Sequence, residues 1–309
     1  MELTPILQKT LEIGGSDVFL IPGSPATAKV KGHMVALTEE RVQPADTRKM
    51  IAEAYSMSLD HTEETLQREG DDDFSFSLQN LARFRCNAYK QRGTLAATFR
   101  LVAFGLPDPR KLNIPQMVTG LTDSCRSGMI LVTGPAGSGK STTLACMVDQ
   151  INEERDVHII TIEDPIEYLH PHKRALVSQR EIPGDACSFA RALRAAMREA
   201  PDVIMLGEMR DYETIQTALT AAETGHLLLS SLHTVGAAKT IDRIIDIFPA
   251  NQQQQVRIQL SMVLQAVISQ RLVPTVDGGQ VPVFEMMTVT PAIQNMIRDG
   301  KTFQIDNVI

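Results

Sequence analysis

At 309 residues, 43% of them hydrophobic and 22% charged, the chain is long enough for about two domains, each with its own core. A formal net charge of −7 argues against generic nucleic-acid binding, and no apolar run approaches the ~20 residues that span a bilayer. The four cysteines (Cys86, Cys125, Cys146, Cys187) form no C-x-x-C pair, so they read as small reduced core residues, not as a zinc site or a disulfide framework. Met1-Glu2-Leu3-Thr4 has neither a basic nor an apolar leader region, and cytoplasmic residence is the expectation.

Leu3, Ile6, Leu7, Leu11 and Ile13 recur at helical spacing, and Gly14-Gly15 ends that helix. Asp17–Ile21 reads as a strand, followed by a Pro/Gly turn and a second strand around Ala28–Lys31. Ala45–Met57 reads as a helix. Asp71-Asp72-Asp73 reads as a charged turn leading into Phe74–Ser77, and Ala82–Ala88 and Thr94–Leu101 alternate like antiparallel strands. The order is helix, two strands, helix, three strands, an α+β domain over residues 1–103. Gly105-Leu106-Pro107-Asp108-Pro109 marks a linker over 104–116, because two prolines exclude helix.

From residue 117 to 309 the texture changes. Met129–Thr133, Val157–Ile162, Val203–Leu206, Leu227–Leu232, Ala266–Leu272 and Val281–Met287 are apolar strands separated by helical segments. Such runs predict a largely parallel sheet covered on both faces, hence an α/β domain with ligands at the carboxyl ends of its strands. Arg191, Arg194 and Arg198 form a basic stripe on one helix, with Phe189, Leu193 and Met197 toward the core.

Chemistry enters at Gly134-Pro135-Ala136-Gly137-Ser138-Gly139-Lys140-Ser141, which matches G-x-x-x-x-G-K-[ST] between a strand and a helix. The glycines let successive backbone N–H groups turn inward around a polyphosphate. Lys140 supplies a point charge for the β- and γ-phosphates of ATP, and Ser141 an oxygen for Mg²⁺. Two acidic loops follow two other strands, Glu163-Asp164-Pro165 and Gly207-Glu208. In a parallel sheet both emerge on the edge of the phosphate loop, where carboxylates hold Mg²⁺ through water and orient the attacking water. Glu208 is favoured as the water-activating residue and Glu163 as its metal-side or water-side partner, with the reverse assignment open. His226 and His233 bracket the next strand and are candidates for sensing the γ-phosphate. Arg83, Arg85 and Arg100, on the strands before the linker, are candidates for the guanidinium that assists phosphoryl transfer. Ordinary surface arginine is the competing reading.

These residues resemble the secretion-ATPase superfamily, and specifically the type IV pilus retraction ATPases (the PilT family), over essentially the whole chain. Gly134–Thr142 is similar to the family's Walker A motif, with Thr142 closing it. Ile159–Tyr168 resembles its Asp box, Asp202–Asp211 its Walker B segment and Thr224–Thr234 its His box. The resemblance implies a PAS-like N-terminal domain linked to a RecA-like P-loop ATPase domain, and nucleotide contacts from Arg85 and Arg100, with Arg83 beside them. It further implies a homohexamer at the cytoplasmic face of the inner membrane that acts on a membrane platform protein, without membrane insertion and without direct nucleic-acid contact. Pro291–Ile297 resembles the family's C-terminal retraction motif but carries Gln294 where Arg is usual and Met296 where Leu is usual. Phe19 stands where the family commonly has His. Members generally continue beyond the equivalent of Ile309, so the chain reads as truncated or short.

Three rival functions define what must be separated. A pilus-assembly or type II secretion ATPase usually carries extra N-terminal domains and often a tetracysteine zinc element. A RecA-like nucleic-acid translocase requires a basic, aromatic channel, which the acidic charge and 5% aromatic content oppose. A regulatory subunit would bind ATP without turnover, which the pair Glu163 and Glu208 argues against.

Overall fold

The computed structural model describes residues 1–58, 61–78, 82–102, 105–276 and 279–308. The chain divides into two compact units, Met1–Phe104 and Gly105–Ile309.

The first unit runs α1 (Leu3–Glu12), β1 (Asp17–Leu20), β2 (Pro25–Val30), β3 (His33–Arg41), α2 (Pro44–Met57), α3 (Glu63–Glu69), β4 (Asp71–Leu78), β5 (Ala82–Gln91) and β6 (Thr94–Val102). The strands form one antiparallel sheet in the order β3-β2-β1-β6-β5-β4. Period-two alternation decides its faces. Phe74, Phe76, Phe84, Cys86, Ala88 and Phe99 point into a core shared with Leu3, Leu7, Met50 and Ile51 of the helices. Phe76 centres that core, its ring 5.8 Å from Phe84 and 6.0 Å from Phe99. The intervening residues Arg83 and Arg85 share the opposite face with Arg100, the register partner of Arg85.

Three features of this unit differ from the sequence reading. β3 is an edge strand exposed along most of its length, with Leu37 its buried residue, so it carries no alternation to detect. α3 is short and anchored by Leu66, which leaves no helical repeat to see. Asp71–Asp73 begin β4 and do not form a turn. Asp72 is 6% exposed and accepts the Tyr55 hydroxyl at 3.0 Å, with His61 Nδ1 at 3.3 Å from the same oxygen.

The second unit runs α4 (Gln116–Thr119), α5 (Leu121–Ser124), β7 (Gly128–Thr133), α6 (Lys140–Glu154), β8 (His158–Glu163), β9 (Leu176–Glu181), α7 (Phe189–Ala196) and β10 (Val203–Leu206). It continues with α8 (Tyr212–Glu223), β11 (Leu227–Leu232), α9 (Ala237–Asp246), α10 (Ala250–Val263), β12 (Leu264–Pro274), β13 (Gln280–Thr288), α11 (Pro291–Arg298) and a 3₁₀ turn (Thr302–Asn307). The sheet order is β13-β12-β7-β11-β10-β8-β9, parallel throughout except for the antiparallel pair β12–β13.

Both faces are buried. Met129, Leu131, Ile160, Ile162, Ile204 and Leu206 pack on one side against α7 to α11, for example on Leu193, Leu219, Ile241, Leu260 and Ile293. Ile130, Val132, Ile159, Val203 and Met205 pack on the other against Leu144, Met147, Val148 and Ile151 of α6. This double burial is why the strands read as unbroken apolar runs. β9, Leu-Val-Ser-Gln-Arg-Glu, is an edge strand with a polar sequence and escapes that signal. The two last strands were expected as strands, but they pair with each other as a hairpin.

The basic stripe is shorter than expected, since α7 ends at Ala196 and Arg198 lies beyond it, while Arg194 pairs with Glu213 of α8 at 2.7 Å. The cysteines also divide. Cys86 and Cys146 are buried, and burial pushes both thiols up, whereas Cys125 is half-buried and Cys187 exposed. Among the described residues no helix is long and apolar enough to cross a membrane.

Asp211 fixes the start of α8, accepting the Thr214 N–H at 2.9 Å and the Thr214 hydroxyl at 2.7 Å. Asp211→Ala is expected to cost about 1 kcal/mol, read as a lower urea midpoint at unchanged m-value.

Candidate active site

Parallel register brings four strand ends to one edge. Thr133 lies opposite Leu232, and Leu206 lies between Ile162 and Ser230. The residues that follow, Gly134–Gly139, Glu163, Glu208 and His233, therefore leave the sheet on the same side. One cleft there is lined by Lys140, Ser141, Glu163, Glu208, Arg210 and His233, among others.

The loop from Gly134 to Gly139 is built for an anion. Gly139 has φ 87° and caps α6, and a Cβ on Gly134 would lie 2.1 Å from the Gln270 carbonyl oxygen, so neither position admits a side chain. Lys140 is 8% exposed and its Nζ donates to the carbonyl oxygens of Gly134 (3.0 Å) and Pro135 (2.9 Å). Burial draws its pKa down, and the carboxylates of Glu208 and Glu167 oppose that. Ser138 Oγ is buried with no hydrogen-bond partner among the described residues. A buried hydroxyl, a buried ammonium and the amino end of α6 together fit a polyphosphate. Ser141, on the first turn of α6, and the two carboxylates of the cleft are hard oxygen donors, the chemistry Mg²⁺ takes.

The two acids sit in different environments. Glu163 is 7% exposed, and its Oε1 accepts the Thr161 hydroxyl at 2.6 Å and Gln179 Nε2 at 3.3 Å. Its Oε2 accepts the Glu167 N–H at 3.5 Å. Burial pushes the Glu163 pKa up to about 7, against those three hydrogen bonds, which lower it. Glu208 is instead held by a guanidinium and an imidazole, with Oε1 2.7 Å from Arg210 Nε and Oε2 3.4 Å from His233 Nε2.

Thr142 and Tyr168 meet across the cleft wall, hydroxyl to hydroxyl at 3.0 Å. Lys140, Ser141, Glu163, Glu208 and His233 are thus brought together. His226 is not, and this corrects the sequence reading. The Gly128 N–H donates to the His226 carbonyl at 3.0 Å, which puts His226 at the amino edge of the sheet, a β11 strand length (about 20 Å) from His233. There its Nδ1 meets the Ala221 carbonyl oxygen at 2.9 Å.

The three arginines lie on the first unit's sheet. Arg100 Nε donates to Asp17 at 2.9 Å, Arg85 is 3.4 Å from Asp73, and Arg83 donates to Ser77 Oγ at 3.4 Å. Four participants were given no role from the sequence, although Thr161 and Tyr168 fall in the Asp-box segment and Arg210 in the Walker B segment. Thr161 and Arg210 stand two residues from Glu163 and Glu208, a spacing that puts Thr161 on the strand face of Glu163 and was readable. Gln179 and Tyr168 come from β9 and the loop before it, for which no periodic signal existed.

Comparison with known proteins converges on this geometry. The Type II/IV secretion system protein family model matches residues 100–280. The type IV pilus retraction ATPase PilT of Pseudomonas aeruginosa is 44% identical over 309 residues, 100% of this chain and 89% of that protein. A twitching motility protein of Neisseria gonorrhoeae is 48% identical over 282 residues, 91% of this chain and 74% of its own. The crystal structure of the pilus retraction motor PilT with bound ADP matches with a TM-score of 0.92 at 48% identity, covering 100% of this chain and 89% of that one. With a phosphate loop, two carboxylates and a histidine on one sheet edge, the chain belongs to the Type II/IV secretion system protein family and, within it, to the PilT pilus retraction ATPases.

Proposed function

We propose that this ATPase is the motor that retracts type IV pili, working as a homohexamer at the cytoplasmic face of the inner membrane on a pilus platform protein. The observation that carries the reading is the cleft itself, where the Lys140 loop faces a Glu208 carboxylate braced by Arg210 and His233. It occurs in a chain 44% identical to a named retraction ATPase over its full length.

In this reading the loop from Gly134 to Thr142 binds the phosphates of ATP, and Lys140 exchanges its two loop carbonyls for phosphate oxygens. When bound, Mg²⁺ would be held by Ser141 and by Glu163, partly through water, and would supply positive charge against that of the transferred phosphoryl group. Glu208 orients the attacking water and takes its proton. Among the described residues its oxygens meet Arg210 and His233, both lining the cleft, whereas those of Glu163 are occupied by Thr161, Gln179 and Glu167. That contrast supports Glu208 over Glu163 as the base. His233, in contact with Glu208, reports the state of the γ-phosphate to the loop that follows β11. Arg85 and Arg100, with Arg83, supply guanidinium charge to phosphoryl transfer in the assembled ring.

The test is a count of surface pili in cells whose only copy carries Lys140→Ala. Excess pili with lost twitching is the expected result. Bald cells would reassign the motor to assembly, and unchanged piliation would sink the pilus role.

A further inference from the structure

The phosphate loop and the His233 loop are both fastened to one strand that neither the motif nor the catalytic reading includes. In β12, Ser269 pairs in register with Thr133, the last residue before the phosphate loop, and Gln270 lies one step further. Consecutive strand residues point to opposite faces, so these two neighbours serve the two sides of the sheet.

Gln270 turns toward α6. It is 2% exposed, and its Oε1 accepts the hydroxyl of Thr143, itself fully buried, at 2.7 Å. A Cβ on Gly134 would meet the Gln270 carbonyl oxygen at 2.1 Å, and a Cβ on Gly139 would meet Gln270 Nε2 at 2.9 Å. The first and last glycines of the loop thus rest on one residue, by its backbone and its amide respectively. Ser269 turns the other way, its Oγ accepting the Gly236 N–H at 3.0 Å. Glu285, its register partner on β13, accepts the next amide, Ala237 N–H, at 3.1 Å. α9 has no side-chain cap of its own, so this cross-strand pair caps it from outside, three residues after His233.

We propose that Gln270 is a positioning residue for the phosphate loop, and that β12, through the Ser269–Glu285 pair, holds the His233 loop at a set distance from it. An extended strand hydrogen-bonded to β7 on one side and β13 on the other is stiff along its length. A displacement of the loop on phosphate binding is therefore passed along β12 to the anchor of α9. None of these residues touches the reacting atoms. Their effect is on the geometry of Lys140 at one end and of His233, with its Glu208 contact, at the other. The inference rests on the reading that the cleft binds nucleotide.

The experiment compares Gln270→Met, Thr143→Val, their double variant and Ser269→Ala in the whole chain. Its readouts are mant-ADP affinity, steady-state ATPase kinetics and melting temperature. Gln270→Met and Thr143→Val should each raise the mant-ADP Kd by about tenfold, with the double variant within about twofold of either single, because both delete one shared contact. Ser269→Ala should lower kcat by about tenfold with the mant-ADP Kd within about twofold of wild type. Where Gln270→Met melts below the assay temperature, Thr143→Val removes the same hydrogen bond from the other side and carries the same expectation. Kd values within about twofold of wild type for the folded Gln270 and Thr143 variants would overturn the positioning role. A rise in Kd in proportion to the fall in kcat for Ser269→Ala, or no change in kcat, would overturn the link to the His233 loop. Absence of mant-ADP binding by the wild-type chain would strike the nucleotide reading instead.

Discussion

Glu208→Gln is expected to lower kcat for ATP hydrolysis by about 10³-fold while leaving mant-ADP affinity within about twofold. The substitution keeps shape and hydrogen-bonding reach but removes the basicity that a water-activating residue must have. Its neighbours make the affinity readout informative. Arg210 Nε turns its N–H on Glu208 at 2.7 Å and His233 Nε2 lies 3.4 Å from the other oxygen, and the amide oxygen of Gln can still accept from Arg210. The phosphate loop leaves β7, two strands across the sheet from β10, and keeps the contacts of Lys140 with Gly134 and Pro135. A variant that binds nucleotide and fails to turn it over assigns Glu208 to chemistry. A variant with normal kcat would move the base to Glu163, the alternative left open by the sequence. Loss of affinity and turnover in proportion would instead make Glu208 a binding residue that acts through the charge of Lys140, which its carboxylate supports.

The legible parts of this molecule are those where one physical constraint dominates many residues. Strands buried on both faces cannot hide, because every position from Met129 to Val132 must be apolar. Their parallel order then fixes where Glu163, Glu208 and His233 emerge, since side chains past strand ends follow the strand direction. His226 shows the limit of that logic. It sits at a strand end as His233 does, and only the direction of β11 separates an amino edge from a carboxyl edge. That direction was available in the sequence order Thr224-Gly225-His226-Leu227 and was not used. The missed elements share another cause: β3 and β9 are edge strands, so half of their hydrogen-bonding capacity and much of their surface face away from any core. With β9 unseen, Gln179 could not be linked to Glu163. Asp72 failed for the opposite reason, as a buried acid satisfied by Tyr55 and His61, partners that only the tertiary fold supplies.

The second large effect concerns the proton on Glu163. Burial lifts its carboxyl from an ordinary 4.5 to about 7 in the folded chain, so between those values the folded state holds a proton that the unfolded state has released. Stability of the nucleotide-free, Mg²⁺-free protein should then be greatest below pH 4.5, as far as this group is concerned. It should fall as pH rises toward 7 and stay low above it, a loss of about 3 kcal/mol in all. Glu163→Gln has no proton to release. Its amide oxygen still accepts from Thr161 and Gln179, at the expense of the longer contact with the Glu167 N–H. Urea denaturation at pH 5 and pH 8.5, followed in the transition of the ATPase unit, should therefore find the variant close to wild type at the lower pH and clearly more stable at the higher. A stability difference of the same size at both pH values would show that Glu163 is ionised throughout, and the buried proton would be wrong. The same ionisation links stability to catalysis. A carboxyl that must be charged to hold water or cation should give wild-type kcat/KM, which reports the free enzyme, a limb rising through pH 7. The strain of burying that charge is then the cost of having an acceptor ready when ATP arrives.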